Sequence, residues 1–275
     1  MANKRASRRD DEVDSVRTIY WYRTLCDYFG DERPRAIQRL VDPISLRTDG
    51  DGQPIRNNKF KSYAEGKHVP GVALVQSAKM IVKDSERALN HVVWQVLRER
   101  GPIREKANEW AYHLSPDIQA IVFGPGFELM LRGDRHFLSS LERREGMDGL
   151  AMLTILFKLS IEDEDVEQAW TIAHSIFRVL LMVGPALDEK TIANHVFSLY
   201  VNRVFSLVSF NGLIMDLDNY RYIEAASIVA FLANRLLTQQ GNYRQRKLPS
   251  YYPLQIINGL RGNMGQTFTL PVRNA

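Results

Sequence analysis

The chain holds a single cysteine, Cys26, in 275 residues. One cysteine excludes an internal disulfide and a cysteine-built zinc ribbon. Long apolar runs are also lacking. Phe177 to Gly184 contains Arg178 and follows His174, and Ile228 to Leu237 contains Asn234 and Arg235. Neither reaches the ~18–20 apolar residues of a membrane span. No secretory core follows the basic N-terminus, because Asp10, Asp11, Glu12 and Asp14 come next. These absences predict a cytoplasmic protein with no membrane partner.

Motifs with a catalytic mechanism are lacking too. The histidines are His68, His91, His113, His136, His174 and His195, and none stands at a metal-ligand spacing. Gly124-Pro-Gly126 and the Gly259, Gly262, Gly265 series have no Walker lysine, and Gly-x-Ser-x-Gly is absent. Glu162, Asp163, Glu164 and Asp165 suit the start of a helix, where the dipole favours acids. Asp27 beside Cys26 raises the thiol pKa, which opposes a reactive thiolate. The expectation is a protein without a cofactor or metal and without enzymatic activity.

What the chain does have is segregated charge. The net charge of +4 conceals larger opposed terms. Residues 1–9 carry four basic side chains and no acid, and residues 10–32 carry seven acids against two arginines. Residues 33–69 return to eight basic against four acidic, and residues 70–241 are mildly acidic at 17 against 21. Residues 242–275 hold Arg244, Arg246, Lys247, Arg261 and Arg273 with no acid. Basic regions of this kind attract a polyanion, or they solubilise the ends of a near-neutral body.

The apolar pattern is helical almost throughout, so the expected fold is predominantly α. Val13, Val16, Ile19, Tyr20 and Leu25 predict a helix over 11–29, with Gly30 as its stop. A short helix follows with Pro34 in its first turn and Ile37, Leu40 and Val41 inward. Arg47 to Pro54 is rich in Asp and Gly and reads as a loop or hairpin. Helices follow over 56–65, from Pro70 with Val72, Leu74, Val75 and Met80 as its apolar set, and from Asp84 or Ser85 to Arg100. Later helices are expected over 103–114, 134–145, 147–161, 163–183, 188–210 and 216–240. Only Ile118–Phe123 and Thr267–Val272 suggest strands. Tyr20, Trp21 and Tyr22 are consecutive and cannot share a face, which predicts that at least one is exposed or at an interface. The expected organisation is a disordered basic tip (1–10), a small helical module (11–101), a helical bundle (102–240) and an extended basic arm (241–275).

Residues 56–82 read RNNKFKSYAEGKHVPGVALVQSAKMIV. Phe60 and Tyr63 share a helix face, Gly66 and Lys67 follow, and Pro70 opens the next helix. This segment of about 27 residues resembles the recognition-helix end of the Cro/Xre-type helix-turn-helix family. It departs from the family by placing Ala64 rather than an acid after the aromatic, and by a long insertion before the segment. That insertion is a candidate wing or DNA-reaching loop. The resemblance implies that Arg56 and Asn57 face base edges and that Lys59, Lys61 and Lys67 meet phosphates. In the arm, Arg244, Arg246 and Lys247 beside Tyr251 and Tyr252 suit a single-stranded nucleic acid. The opposing reading packs those tyrosines back on the body.

The expected function is therefore a non-enzymatic DNA-binding regulator or accessory factor, with DNA or another nucleic acid as partner. Its helical C-terminal part would dimerise or bind a protein. The alternatives are a structural or assembly subunit that uses the C-terminal arm, and a helical ligand sensor or enzyme.

Overall fold

The computed structural model describes residues 11–46, 58–144, 146–218, 220–239, 251–259 and 270–275. It is predominantly α-helical. The basic tip at 1–10 and the Asp/Gly loop lie outside the described residues. The chain divides into two compact units, residues 1–94 with 190–192, and residues 95–189 with 193–275.

The first unit is built from α1 (Asp11–Phe29), α2 (Pro34–Val41), α3 (Lys59–Ala64), α4 (Val72–Ile81) and α5 (Ser85–Asn90). Helices of six to ten residues are not stable alone, so packing must hold them. Trp21, Leu25, Ile37, Phe60, Val75 and Ala78 meet in one apolar core. Trp21 and Tyr22 are buried and Tyr20 is half-buried against the Trp94 ring at 5.8 Å. None of the three is exposed, because α2, α3 and α5 all pack on α1. The inward face of α2 is Ile37, Gln38 and Val41, while Leu40 points outward. Gln38 replaces Leu40 because its amide donates to the Ser45 hydroxyl at 2.8 Å, which satisfies it inside. On α4, Val72 and Met80 are exposed rather than inward, and Leu74, Val75 and Ala78 form the buried stripe.

Next in the chain is α6 (Val92–Arg98). The expected helix to Arg100 breaks at His91, whose backbone is extended. Its Nδ1 accepts from the Val93 N–H at 3.2 Å and so starts α6.

The second unit continues with α7 (Arg104–Tyr112), α8 (Pro116–Val122), α9 (Arg135–Glu142), α10 (Met147–Glu162), α11 (Val166–Glu189) and α12 (Ala193–Arg203). It then has β1 (Leu213–Met215), α13 (Tyr222–Gln239), α14 (Tyr251–Gly259) and β2 (Val272–Asn274). The Ile118 segment is helical, not a strand. Pro116 sits in its first turn, and Ile118 and Val122 bury one face at helical spacing.

Apolar on several faces, α10 is enclosed by α7, α8, α9 and α11. The expected stop at residue 183 and restart at 188 is absent. Instead α11 runs through Gly184 and Pro185 to Glu189. Gly184 serves close packing, since a Cβ there would lie 2.5 Å from the Ala226 Cβ on α13. Pro185 lacks the N–H that would close its turn. Beside that turn the Tyr222 hydroxyl donates to the Leu180 carbonyl at 2.8 Å. By length and mean hydropathy α11 would suit a bilayer, and 61% of its apolar window is buried among its neighbours.

Within the expected arm, Tyr251–Gly259 forms α14 and Val272–Asn274 forms β2, while 241–250 and 260–269 lie outside the described residues. Here α14 packs on α13 and α11 and buries Tyr252, so this tyrosine anchors to the body. After it, β2 pairs antiparallel with β1, Leu213 opposite Asn274 and Met215 opposite Val272.

Candidate nucleic-acid interface

The resemblance to a recognition helix falls on α3, so its setting decides what it can present. Phe60 and Tyr63 are buried, with ring centroids 5.5 Å apart in an edge-to-face pair, and Tyr63 meets Trp21 at 5.6 Å. A fully buried phenylalanine contributes about 1.5–3 kcal/mol over an exposed one. That suffices to hold one short helix against a core. Burying Phe60 and Tyr63 turns Lys61 outward and leaves Lys59 and Ser62 half-exposed.

The ends of α3 are fixed by polar contacts. At its start, Lys59 Nζ meets the Asp42 carboxylate at 2.8 Å, which ties α3 to the C-terminal end of α2. At its end, the Gly66 N–H donates to the Tyr63 carbonyl at 3.1 Å and the Lys67 N–H to the Ser62 carbonyl at 2.8 Å. Gly66 has φ +66°, the left-handed conformation that closes a helix and favours glycine.

Three predicted site residues lie in this setting. Lys59 is half-exposed, and Lys61 and Lys67 are about two-thirds exposed. Lys61 and Lys67 share Glu65, at 3.8 and 2.6 Å. The hydrogen bond from Lys67, with the charges of both lysines, holds the Glu65 carboxyl below the ordinary carboxylate range. Arg56, Asn57, Arg244, Arg246 and Lys247 lie outside the described residues.

Two cations escaped the sequence reading. Arg35 and Arg39 stand one turn apart on α2, both exposed, opposite the buried Ile37 and Val41. The spacing was present in the sequence, but α2 shares no motif with the 56–82 segment. Because α2 packs on α3, the pair brings its arginines to the same two-helix layer. Arg33, just before α2, is engaged by Asp31 at 2.7 Å, a pairing that lowers the Asp31 carboxyl to about 2. Across 33–46 and 58–69 there are six cations and two carboxylates, an excess that favours anions.

Several other titratable groups have local structural partners or are buried. Burial lowers His174 to about 4, with Arg178 adding to the shift, and its ring lies 5.6 Å from Trp170. His195 is an exposed residue of α12. The Cys26 thiol is raised, chiefly by burial, with Asp27 the smallest contribution. Of the four-acid run, Asp165 accepts from the Gln168 N–H at 3.0 Å at the start of α11, Glu162 accepts from the Ile103 N–H, and Asp163 pairs with Arg104. Among the described residues no group of three His, Cys, Asp or Glu side chains is placed to hold a metal. Comparison with family models, with curated proteins and with solved structures gives no match.

Proposed function

We propose that residues 11–94 form a helix-turn-helix-like DNA-binding module, and that the chain is a regulator or accessory factor. The second helical unit would serve a protein partner or a second copy of the chain. One observation carries the reading. The aromatic pair of α3 is buried in a small helical core, while its lysines and the arginines of the adjoining α2 stay outside. That division of labour suits a helix held from behind and offered to a phosphate backbone.

The experiment is fluorescence anisotropy on a labelled duplex at about 50 and about 200 mM salt, because counterion release makes affinity fall with salt. The wild type is compared with Arg35→Ala/Arg39→Ala and with Lys61→Ala. Weaker binding and a salt slope shallower by about one for each lost phosphate contact support the reading. Unchanged affinity and slope in both variants overturn it.

A further inference from the structure

We propose that Glu65 is an intramolecular competitor for the phosphates that Lys61 and Lys67 would bind, so that the module holds any phosphate backbone more weakly than its cations alone would allow. The proposal rests on reading residues 11–94 as a nucleic-acid-binding module. Two lysines converge on one carboxylate, Lys67 Nζ at 2.6 Å from Oε2 and Lys61 Nζ at 3.8 Å from Oε1. The outer end of α3 therefore presents one net positive charge from two cations.

The fold sets up this convergence. The Glu65 N–H donates to the Lys61 carbonyl at 3.0 Å, so the two side chains lie one helical turn apart. Gly66 then reverses the chain at φ +66° and the Lys67 N–H returns to the Ser62 carbonyl, which brings Lys67 back to Glu65. Gly66 is seated on α1, where a Cβ would lie 2.8 Å from the Ser15 carbonyl oxygen and 3.1 Å from the Ile19 Cδ1. The turn cannot slide without moving α1, so the three charged side chains start from fixed backbone positions. The role differs from that of Asp42, whose pairing with Lys59 joins two helices.

Both lysines are exposed enough for a phosphate to reach them, and exposed ion pairs are weak enough to exchange. The acid thus reduces attraction to any phosphate backbone without blocking it. Phosphate attraction is independent of sequence, whereas base contacts carry sequence information. Lowering the first weakens binding at every site alike, so Glu65 sets how tightly and how reversibly the module holds a duplex, not which site it chooses.

The test is Glu65→Gln, which keeps the shape and removes the charge. Binding of the full chain to a random-sequence duplex is measured by anisotropy across the same salt range, with circular dichroism melting to check the fold. Glu65→Gln should bind roughly three- to tenfold tighter, with a salt slope steeper by about one. Glu65→Ala should behave alike, and Glu65→Gln added to Lys61→Ala/Lys67→Ala should change nothing. Salt-dependent binding by the wild type, with Glu65→Gln equal or weaker, overturns the competitor role alone. Salt-insensitive or absent binding by both proteins overturns the module reading, and the competitor role with it.

Discussion

The Glu142 carboxylate on α9 accepts from the Arg178 guanidinium on α11 at 2.8 Å, with the Glu142 side chain 1% exposed and Arg178 14%. Arg135 approaches the same oxygen at 3.5 Å from the surface side. A carboxylate this deep requires a cation, and α9 and α11 pack together at that point. Removing one partner of a buried pair strands the other charge, at a cost of about 3–5 kcal/mol. Arg178→Met should therefore lower stability by about that much, and Arg135→Met by under about 1 kcal/mol, since Arg135 is half exposed. Urea denaturation of the two variants separates the cases. Equal, small losses would mean that Glu142 does not depend on Arg178 for its place between α9 and α11.

Stability should rise with pH in two windows. His174, lowered to about 4, stays neutral in the fold while the unfolded chain takes up a proton below the ordinary histidine value of 6.5. Between pH 6.5 and 4 the unfolded state binds more protons, so stability falls as pH falls. Lys158 repeats the effect at high pH. Its ammonium is buried and donates to the Val96 carbonyl at 2.7 Å and to the Glu99 carbonyl, and burial lowers it to about 8. Between pH 8 and 10 the unfolded lysine remains protonated while the folded one loses its proton, so stability rises. Above pH 10 the buried phenols of Tyr200 and Tyr222, held well above their ordinary value by burial, reverse the trend. Their folded forms keep protons that the unfolded chain gives up. Denaturant midpoints across pH check each window. His174→Gln should flatten the acidic one and Lys158→Met the alkaline one. Unchanged slopes would show that other groups set the pH dependence.

The pattern of apolar spacing was legible where one face alone is buried. The reading of α2 from Pro34, with Ile37 and Val41 inward, and of α4, with Leu74 and Val75 inward, follows directly from it. It failed where tertiary contact changes the meaning of a residue. Gly184-Pro185 has the composition of a helix end, yet Gly184 is there so that α13 can approach α11, and only the packed structure reveals that. His91 has no capping signature in sequence, because its ring nitrogen becomes a cap only once the backbone turns. The site divides in the same way. Phe60, Tyr63 and Gly66 stand where their spacing predicts, inside the core and at the turn, because those roles are local. Arg35 and Arg39 were missed because their relation to α3 depends on α2 packing beside it across a long insertion. Glu65 was legible as a residue but not as a partner, since Lys67 returns to it only through the left-handed turn.

Gly66 and Gly30 make a matched pair for testing that turn. Both have φ near +65°, but a Cβ on Gly30 meets nothing within 4 Å, whereas one on Gly66 meets α1. An L-residue in this conformation costs about 1–2 kcal/mol. Gly30→Ala should lose that amount and no more. Gly66→Ala carries the same backbone cost and must also push α3 away from Ser15. Its loss should be at least about twice as large, with weaker protection of α3 amides in hydrogen exchange. Equal losses in the two variants would mean that α1 yields without cost and that the seat of Gly66 is soft.

The C-terminal segment offers the last test, between an arm that reaches a neighbour and one that completes its own unit. An arm for assembly should be removable without harm to the fold. Here Tyr252, Leu254, Ile256 and Ile257 of α14 are buried, and Leu270 is buried before β2. Main-chain bonds reinforce this, with the Asp216 N–H donating to the Pro271 carbonyl at 2.9 Å and the Ala275 N–H to the Gly212 carbonyl at 2.8 Å. Each buried apolar side chain contributes about 1.5–3 kcal/mol, and a domain has only about 5–15 kcal/mol in total. Deleting residues 251–275 should therefore destabilise the second unit severely, seen as a lost cooperative melt and rapid proteolysis of the 95–250 region. Tyr252→Ala alone should cost about 3–5 kcal/mol, the range for a large buried aromatic. Val272→Ala, at a 43% exposed position on β2, should stay within about 1 kcal/mol. A truncated protein that melts as the wild type does would return the segment to the role of an arm, because the packing of α14 on α11 and α13 would then contribute nothing that the unit needs.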